Sequence, residues 1–434
     1  MPSFEYMPQW TIEDVKQHGD IYVASGTYSE IVENCSKCGA LGPLARHGSK
    51  TTTLRDAPIH GKQTTIVVRR RRYRCKACGA TSLQPLPDVD DRHRMLRRCL
   101  DHIQRQCVRQ PFSQIARDVG VDEKTIRLVA SRHIRELSQN ALSAAPRQLG
   151  ISEVSALDKP RLLFADLERS CVVDLLEKKG ARSLAGWLNQ LNSRQTIRIV
   201  SIEMRQSYRE TIRSILPRTS IMVSRRHILA IADQSFDAAV RALSDRLERK
   251  ARLNLIFNWH LLTKRSCELT PAMRPVLQQL LATYPKLEGA YQAKEQFHDL
   301  YSLDSRTKAE AAYAVWLKHL PDELRRAFRP LLTAMSVWEM EVLESWEHPV
   351  REDVLVLANA GLKAVNRLGK GYSFPILRAR LLFGQPFSGA TFTCPGCLGT
   401  YPIEIREMNN STTATWCPNC RRLRADRWFM PTGR

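Results

Sequence analysis

The sequence predicts an α+β multidomain protein, and three observations carry that reading. The chain has 434 residues, more than one core ordinarily fills, since domains run to about 100–200 residues. Its apolar periodicity changes along the chain, from the alternation of strands to the three-and-four spacing of helices. Eight of its 12 cysteines fall into four Cys-x-x-Cys pairs, two toward each end, and in a reducing compartment such pairs read as metal ligands rather than disulfides. Four regions follow from these shifts: 1–88, 89–146, 147–384 with a helical insertion at about 228–350, and 385–434.

The first region is β-like, with Thr64, Ile66 and Val68 alternating ahead of a basic run. Cys35-Ser36-Lys37-Cys38 and Cys75-Lys76-Ala77-Cys78 each lead into a glycine, Gly39 or Gly79, so two knuckles can present four thiolates to one tetrahedral zinc. A closed four-thiolate shell leaves no position for water, which makes such a zinc structural. Cys394, Cys397, Cys417 and Cys420 repeat the arrangement in the last region, followed by Arg421, Arg422 and Arg424. They predict a C-terminal zinc ribbon and a second structural zinc. Cys99, Cys107, Cys171 and Cys267 stand in apolar contexts and read as packing.

Lys and Arg total 66 against 44 Asp and Glu, a net charge of +22, which favours a polyanionic partner through steering and counterion release. The excess is clustered: Arg69 to Arg109 holds 12 basic residues against 4 acidic ones. Arg69, Arg70, Arg71, Arg72 and Arg74 on a strand beside the first zinc, with Arg94, Arg97 and Arg98 on the following helix, are candidate phosphate contacts. No run approaches the about 18 apolar residues of a membrane span, and no secretion signal is read at the N-terminus. The expected location is the cytoplasm, on the nucleoid.

The second region turns helical, with Leu96, Leu100, Ile103 and Cys107 on one face and Pro111 predicted to end that helix. Phe112 to Val129 has helix-turn-helix spacing. Ile115, Ala116 and Val119 line a first helix, Gly120 supplies the positive φ of the turn, and Ile126 and Val129 line a second helix capped by Asp122. Glu123, Lys124, Thr125 and Arg127 are expected to face the major groove of double-stranded DNA and read its sequence.

The third region opens with strand-like runs at Leu149–Val154, Arg161–Leu167 and Cys171–Leu176, then a helix near Ser183–Leu191. Ile197–Ile202, a helix at Tyr208–Leu216 and a short strand at Ile221–Val223 follow. This is strands first, then α/β alternation. From about 225 to 350 the pattern is helical, with Trp259, Trp316, Trp338 and Trp346 among charged residues.

The order zinc ribbon, basic strand, helix-turn-helix and α/β domain resembles the transposases of the insertion-sequence L-three family. Segments carrying the resemblance are Arg92 to Arg98, Ile103-Gln104-Arg105-Gln106, Ile115-Ala116, and Gly120-Val121-Asp122-Glu123-Lys124-Thr125-Ile126-Arg127. Further on come Leu149-Gly150-Ile151, Lys159-Pro160-Arg161, Leu216-Pro217, Ala290-Tyr291, Lys294-Glu295 and His348-Pro349-Val350. Asn366-Arg367-Leu368-Gly369-Lys370-Gly371-Tyr372-Ser373-Phe374 and Leu377-Arg378-Ala379-Arg380 complete the set. The resemblance implies a ribonuclease H-like middle domain interrupted by a helical insertion, in which two Asp and one Glu hold two Mg²⁺ ions for DNA cleavage and joining.

This chain departs from that pattern at each acid. Gly150-Ile151-Ser152-Glu153 stands for Gly-Ile-Asp-Glu, Glu203-Met204 for an Asp followed by Met, and Ser224-Arg225-Arg226-His227 for Asp-Lys-Phe-His. Leu355-Val356-Leu357-Ala358-Asn359 stands for Thr-Glu-Ser-Leu-Asn, so the triad Glu becomes Val356. Two metal ions need shared anionic oxygens, and the triad positions Ser152, Glu203 and Val356 keep one carboxylate. Arg225 and Arg226 would repel Mg²⁺ and attract phosphate. The expectation is a sequence-specific, catalytically impaired member that acts by binding or recruitment. An active transposase using relocated acids such as Glu153, Asp166 or Asp174, with Mg²⁺, is the first alternative. A scaffold binding a protein through the helical insertion or the C-terminal ribbon is the second. Homo-oligomerisation is expected from the resemblance.

Overall fold

The computed structural model describes residues 9–41, 44–139, 145–348, 350–368 and 371–384, together with four short strands beyond them. The chain divides into two compact units, Met1–Ala141 with Arg367–Gln385, and Leu142–Asn366 with Pro386–Arg434.

The first unit is built on a sheet of β1 (Trp10–His18), β2 (Ile21–Tyr28), β3 (Ala45–Ile59), β4 (Lys62–Arg74), β5 (Thr81–Leu83), β6 (Val89–Asp90) and β7 (Met95–Leu96). The order is β1-β2-β4-β3-β7-β6, with β5 also pairing β4. Strands β2 and β4 run parallel, with Ala24 opposite Ile66 and Gly26 opposite Val68, while β3 pairs β4 antiparallel, with Leu54 opposite Ile66. The alternation read from Thr64, Ile66 and Val68 is the buried face, which packs Trp10, Ala24, Tyr28, Leu54, Leu86 and Leu96 into one core.

Three helices follow: α1 (Arg97–Gln106), α2 (Phe112–Val119) and α3 (Glu123–Gln139). The sequence predicts that Pro111 ends α1; in the structure α1 has already stopped at Gln106, and Pro111 is the N-cap of α2. At that position no intrahelical carbonyl awaits the N–H that proline lacks. Gly120 ends α2 at φ 79°. The turn needs glycine for conformation, and a Cβ there, 2.3 Å from Gln63 Oε1, would in addition shift the tip of that side chain. Asp122 accepts from the Thr125 N–H and hydroxyl, both at 2.8 Å, and so caps α3.

The second unit has a five-stranded sheet of β8 (Gln148–Ala156), β9 (Lys159–Asp166), β10 (Cys171–Leu176), β11 (Ile199–Ile202) and β12 (Ser220–Val223), in the order β10-β9-β8-β11-β12. The first three strands are antiparallel; β11 lies parallel to both β8 and β12. Helix α4 (Ala181–Gln190) bridges β10 and β11, and α5 (Gln206–Ile215) bridges β11 and β12. All seven elements lie where the sequence places them. Seven helices then follow: α6 (Arg225–Ser244), α7 (Arg249–Phe257), α8 (Trp259–Leu262), α9 (Met273–Thr283), α10 (Pro285–Asp299), α11 (Arg306–His319) and α12 (Asp322–Glu347). Their apolar faces merge with one sheet face, Leu149, Ile151, Val200, Ile202, Ile221 and Val223, into a single large core.

The other sheet face carries the alternate residues, and α13 (Asp353–Leu368) packs on it through Val354 and Leu355 against Ala165 and Leu167. A Cβ on Gly150 would come within 2.7 Å of Leu167 Cδ2 and 3.1 Å of Leu355 Cδ1, so glycine lets this helix approach β8. A last helix, α14 (Phe374–Phe383), belongs to the first unit. Its Ile376 and Ala379, with Tyr372, join the core of α1 to α3, and the buried Arg380 lies over the Phe112 and Tyr372 rings while donating to Gln110 O. Beyond it, β13 (Thr391–Thr393) pairs β14 (Thr400–Pro402), and β15 (Thr415–Trp416) pairs β16 (Leu423–Arg424). Cys394, Cys397, Cys417 and Cys420 lie outside the described residues.

Candidate functional site

The zinc geometry is local. Gly39 N donates to Cys35 O at 2.9 Å and Gly79 N to Cys75 O at 3.0 Å, each glycine at φ 69°, so the two knuckles are copies of one turn. Cys35 Sγ lies 3.8 Å from Cys78 Sγ and Cys38 Sγ 3.7 Å from Cys75 Sγ, and all four Sγ atoms fall within 4.8 Å of one another. Zn–S bonds of about 2.3 Å in a tetrahedron demand sulfur separations of this size. The N–H groups of Cys38 and Lys37 point at Cys35 Sγ and hold that thiol below its ordinary value, while against the pull of the Ala40 N–H the neighbouring Cys78 and Cys35 sulfurs push the Cys38 thiol up, the crowding of thiols that a bound cation relieves. The residues fit a structural zinc.

Around this cluster the basic residues divide. Arg72 and Arg74 are exposed, and their side chains make no hydrogen bond or ion pair among the described residues. Arg69 is exposed with Nε 3.2 Å from Ser49 Oγ, and Arg71 is half-buried. Arg70 departs from expectation: it is 5% exposed, its Nε and Nη2 donate to Gln84 O, and its Nη1 reaches Asp91 at 2.6 Å. The two-residue period that buries Ile66 and Val68 carries Arg70 inward as well, so this guanidinium is not available to a phosphate. Arg98 is likewise engaged, with Nε 2.6 Å from the fully buried Asp56, whereas Arg94 and Arg97 are exposed.

On α3, Lys124 is exposed. Glu123 and Arg127 instead pair with each other at 2.8 Å; Arg127 also lies 5.4 Å above the Phe112 ring and donates to Gly371 O at 3.3 Å. The Thr125 hydroxyl is held by Asp122.

In the second unit the strand register brings two of the singled-out positions together. Ser201 pairs with Gly150, so Ser152 on β8 and Glu203 just beyond β11 fall on the face that α13 covers. Ser152 Oγ donates to Glu203 Oε1 at 2.8 Å, and Glu153 N donates to the same oxygen at 3.1 Å. Burial, with Arg205, holds the His227 imidazole below its ordinary value against the pull of Glu203. Val356 follows Leu355 on α13 and is half-buried.

Ser224 and Arg225 face a residue that the sequence motifs do not include. Glu352 accepts from Ser224 Oγ at 3.2 Å and from Arg225 N at 3.0 Å, capping α6 from across the fold. Burial pushes the Glu352 carboxyl up, while those donors pull it down. The expectation that Arg225 offers its charge to phosphate is corrected by its contacts: its guanidinium donates to Ser345 O at 2.5 Å and stacks on Tyr301 and Trp346. Arg226 is exposed.

The candidate substitute acids all have structural partners. Glu153 accepts from Tyr208 at 2.8 Å, Lys179 at 2.9 Å and Arg205 at 3.0 Å. Asp174 accepts from Leu175 N and from Trp187 Nε1 at 2.9 Å. Asp166 caps the turn after β9 through Glu168 N and Arg169 N. Among the described residues, only two groups of three or more possible ligands converge, the four cysteines and Glu344 with Glu347 and His348. Arg306 already bridges both of those glutamates, at 3.7 and 2.9 Å. Of the three positions read as the triad, Ser152 and Val356 carry no carboxylate and Glu203 carries one.

Residues 149–381 match the family model described as Transposase, of the DDE type of insertion sequence L-three, ISL3. This match and the fold define a DDE transposase domain in a mixed α+β chain. Residues 32–78 match the zinc-finger of transposase IS204/IS1001/IS1096/IS1165. The transposase for insertion sequence element IS1001 of Bordetella parapertussis is 22% identical over 356 residues, covering 78% of this chain and 85% of that protein. The chain belongs to the ISL3 transposase family. No helix among the described residues is long and apolar enough to cross a membrane.

Proposed function

We propose that this protein binds double-stranded DNA sequence-specifically and that its DDE-type domain is catalytically impaired, so that it acts by binding or recruitment. The observation that carries the reading is the Ser152–Glu203 hydrogen bond of 2.8 Å. The acid kept at the triad positions is engaged by a neutral hydroxyl where a second carboxylate would share a metal ion with it. The structural partners of Glu153, Asp166 and Asp174 leave the active-transposase alternative without an evident replacement acid. The antiparallel-then-parallel sheet order supports a ribonuclease H-like fold, and the α2–Gly120–α3 arrangement supports a helix-turn-helix.

Duplex ends of the parental element, incubated with the zinc-loaded protein and Mg²⁺ or Mn²⁺, test the reading. Retarded but uncleaved duplex is the expected result; cleavage or strand transfer that Glu203→Ala abolishes would overturn it. A second zinc held by Cys394, Cys397, Cys417 and Cys420, a homo-oligomer and a nucleoid location belong to the same proposal.

A further inference from the structure

Four residues apart on α3 stand Lys124, Leu128 and Arg132, all exposed, with Arg135 on the same arc. The opposite arc, Ile126, Val129, Ala130 and Ile134, is buried in the unit's helical core. At about 100° per residue, Leu128 is the centre of the outward face. It is 56% exposed, and among the described residues no other large apolar side chain on α1, α2, α3 or α14 is exposed to that degree. The side chains of Lys124, Arg132 and Arg135 make no hydrogen bond or ion pair among the described residues, whereas Glu123, Arg127 and Thr125 are committed to partners within the unit.

We infer that Leu128 is a specificity-determining residue that packs against the C5 methyl of a thymine in the major groove, flanked by the three cations. The inference rests on the duplex-DNA reading above. The chemistry is selective because the thymine methyl is the one apolar feature that the major groove presents. The cations decide the class of partner. A polyanion matches them, whereas an apolar protein groove that accepted Leu128 would have to strip water from the charges around it.

Duplexes recovered from a random pool by the full-length, zinc-loaded protein provide the probe, and each thymine is then replaced in turn by deoxyuridine, which lacks only the methyl group. Wild type loses about fourfold in affinity at one or two positions, the factor that one buried methyl group is worth. Leu128→Ala binds the parent duplex more weakly but no longer distinguishes thymine from deoxyuridine there, and Leu128→Met retains part of the discrimination. The salt dependence of Leu128→Ala stays that of wild type, since no phosphate contact is removed, and its position on the helix surface keeps its melting temperature unchanged. A wild type indifferent to every replacement, or a Leu128→Ala protein as methyl-sensitive as wild type, overturns the inference alone. Failure of wild type to retain any duplex overturns the DNA reading with it.

Discussion

Ser152 Oγ and Glu203 Oε1 are 2.8 Å apart, a hydroxyl donating to a carboxylate across two neighbouring strands. An aspartate at 152 would set two carboxylates at that spacing, and like charges so close require a shared proton or a cation. Ser152→Asp alone is expected to destabilise the metal-free protein by about 1–2 kcal/mol, from the lost hydrogen bond and the new repulsion. With Val356→Glu added, Mn²⁺ should raise the melting temperature of the double variant and leave that of wild type unchanged. Equal responses to Mn²⁺ in calorimetric scans would show that Ser152 does not occupy the place of a metal-binding acid.

Glu153 sits under three donors, and the outcome is a carboxyl whose pKa lies below its usual value of 4.5: burial pushes it up, but Lys179, Tyr208 and Arg205 outweigh burial. A group whose folded pKa is depressed contributes stability above its unfolded value and loses it as pH falls through the folded one. Glu153→Gln should therefore cost about 1.5–3 kcal/mol near neutrality, the range for hydrogen bonds to a charged group. The gap from wild type should close as pH falls below about 4.5. Denaturation curves recorded from pH 7 to pH 3 check both the size and the sign.

The arginines of the first unit should separate into two sets. Arg98→Ala strands the fully buried Asp56 carboxylate, at a cost of about 3 kcal/mol, and Arg70→Ala removes the partner of Gln84 O and Asp91. Both are expected to lower stability while leaving the slope of log K against log salt as it was. Arg72→Ala and Arg74→Ala should do the reverse, each reducing that slope by about one phosphate contact.

Metal content gives a count. Cys35→Ser with Cys75→Ser should lose one zinc per chain and loosen the β3–β4 end of the sheet, because the two knuckles that flank those strands converge on one another through the four cysteines. Cys394→Ser with Cys417→Ser should lose a second zinc without that effect. Elemental analysis giving one zinc in wild type would remove the C-terminal site from the proposal.

Much of this is legible in the sequence because it depends on short-range pattern. The Cys-x-x-Cys-Gly knuckles, the alternation through Ile66 and Val68, the Asp122 cap and the strand runs of the second unit each need only neighbouring residues. What the sequence hides depends on partners far along the chain. Arg70 reads as one more surface arginine until Asp91 and Gln84 close over it, although the period continued from Val68 turns it inward. Glu352 lies 127 residues from Arg225, so its role as the cap of α6 has no local signature. Leu128 carries no signal of its own, because an apolar residue in a helical motif reads as core until the neighbouring Ile126 and Val129 are seen to fill the buried arc.

Gly120 links the sheet to the helices that carry the DNA reading. Its φ of 79° is one that an L side chain adopts only at a cost of about 1 kcal/mol. Its missing Cβ also leaves room for Gln63, whose Nε2 donates to Arg117 O at 2.8 Å. Gly120→Ala therefore brings backbone strain together with a shift of the Gln63 side-chain tip, and a total loss of about 1–2 kcal/mol, most of it the strain, is expected. Gln63→Ala removes the obstacle, so in the double variant only the strain should remain, and the two changes should be less than additive. Because α3 hangs from this turn, Gly120→Ala should weaken duplex binding beyond its effect on stability, whereas Gln63→Ala alone should not. Additive effects of the two substitutions in a thermodynamic cycle would show that Gln63 does not buttress the turn.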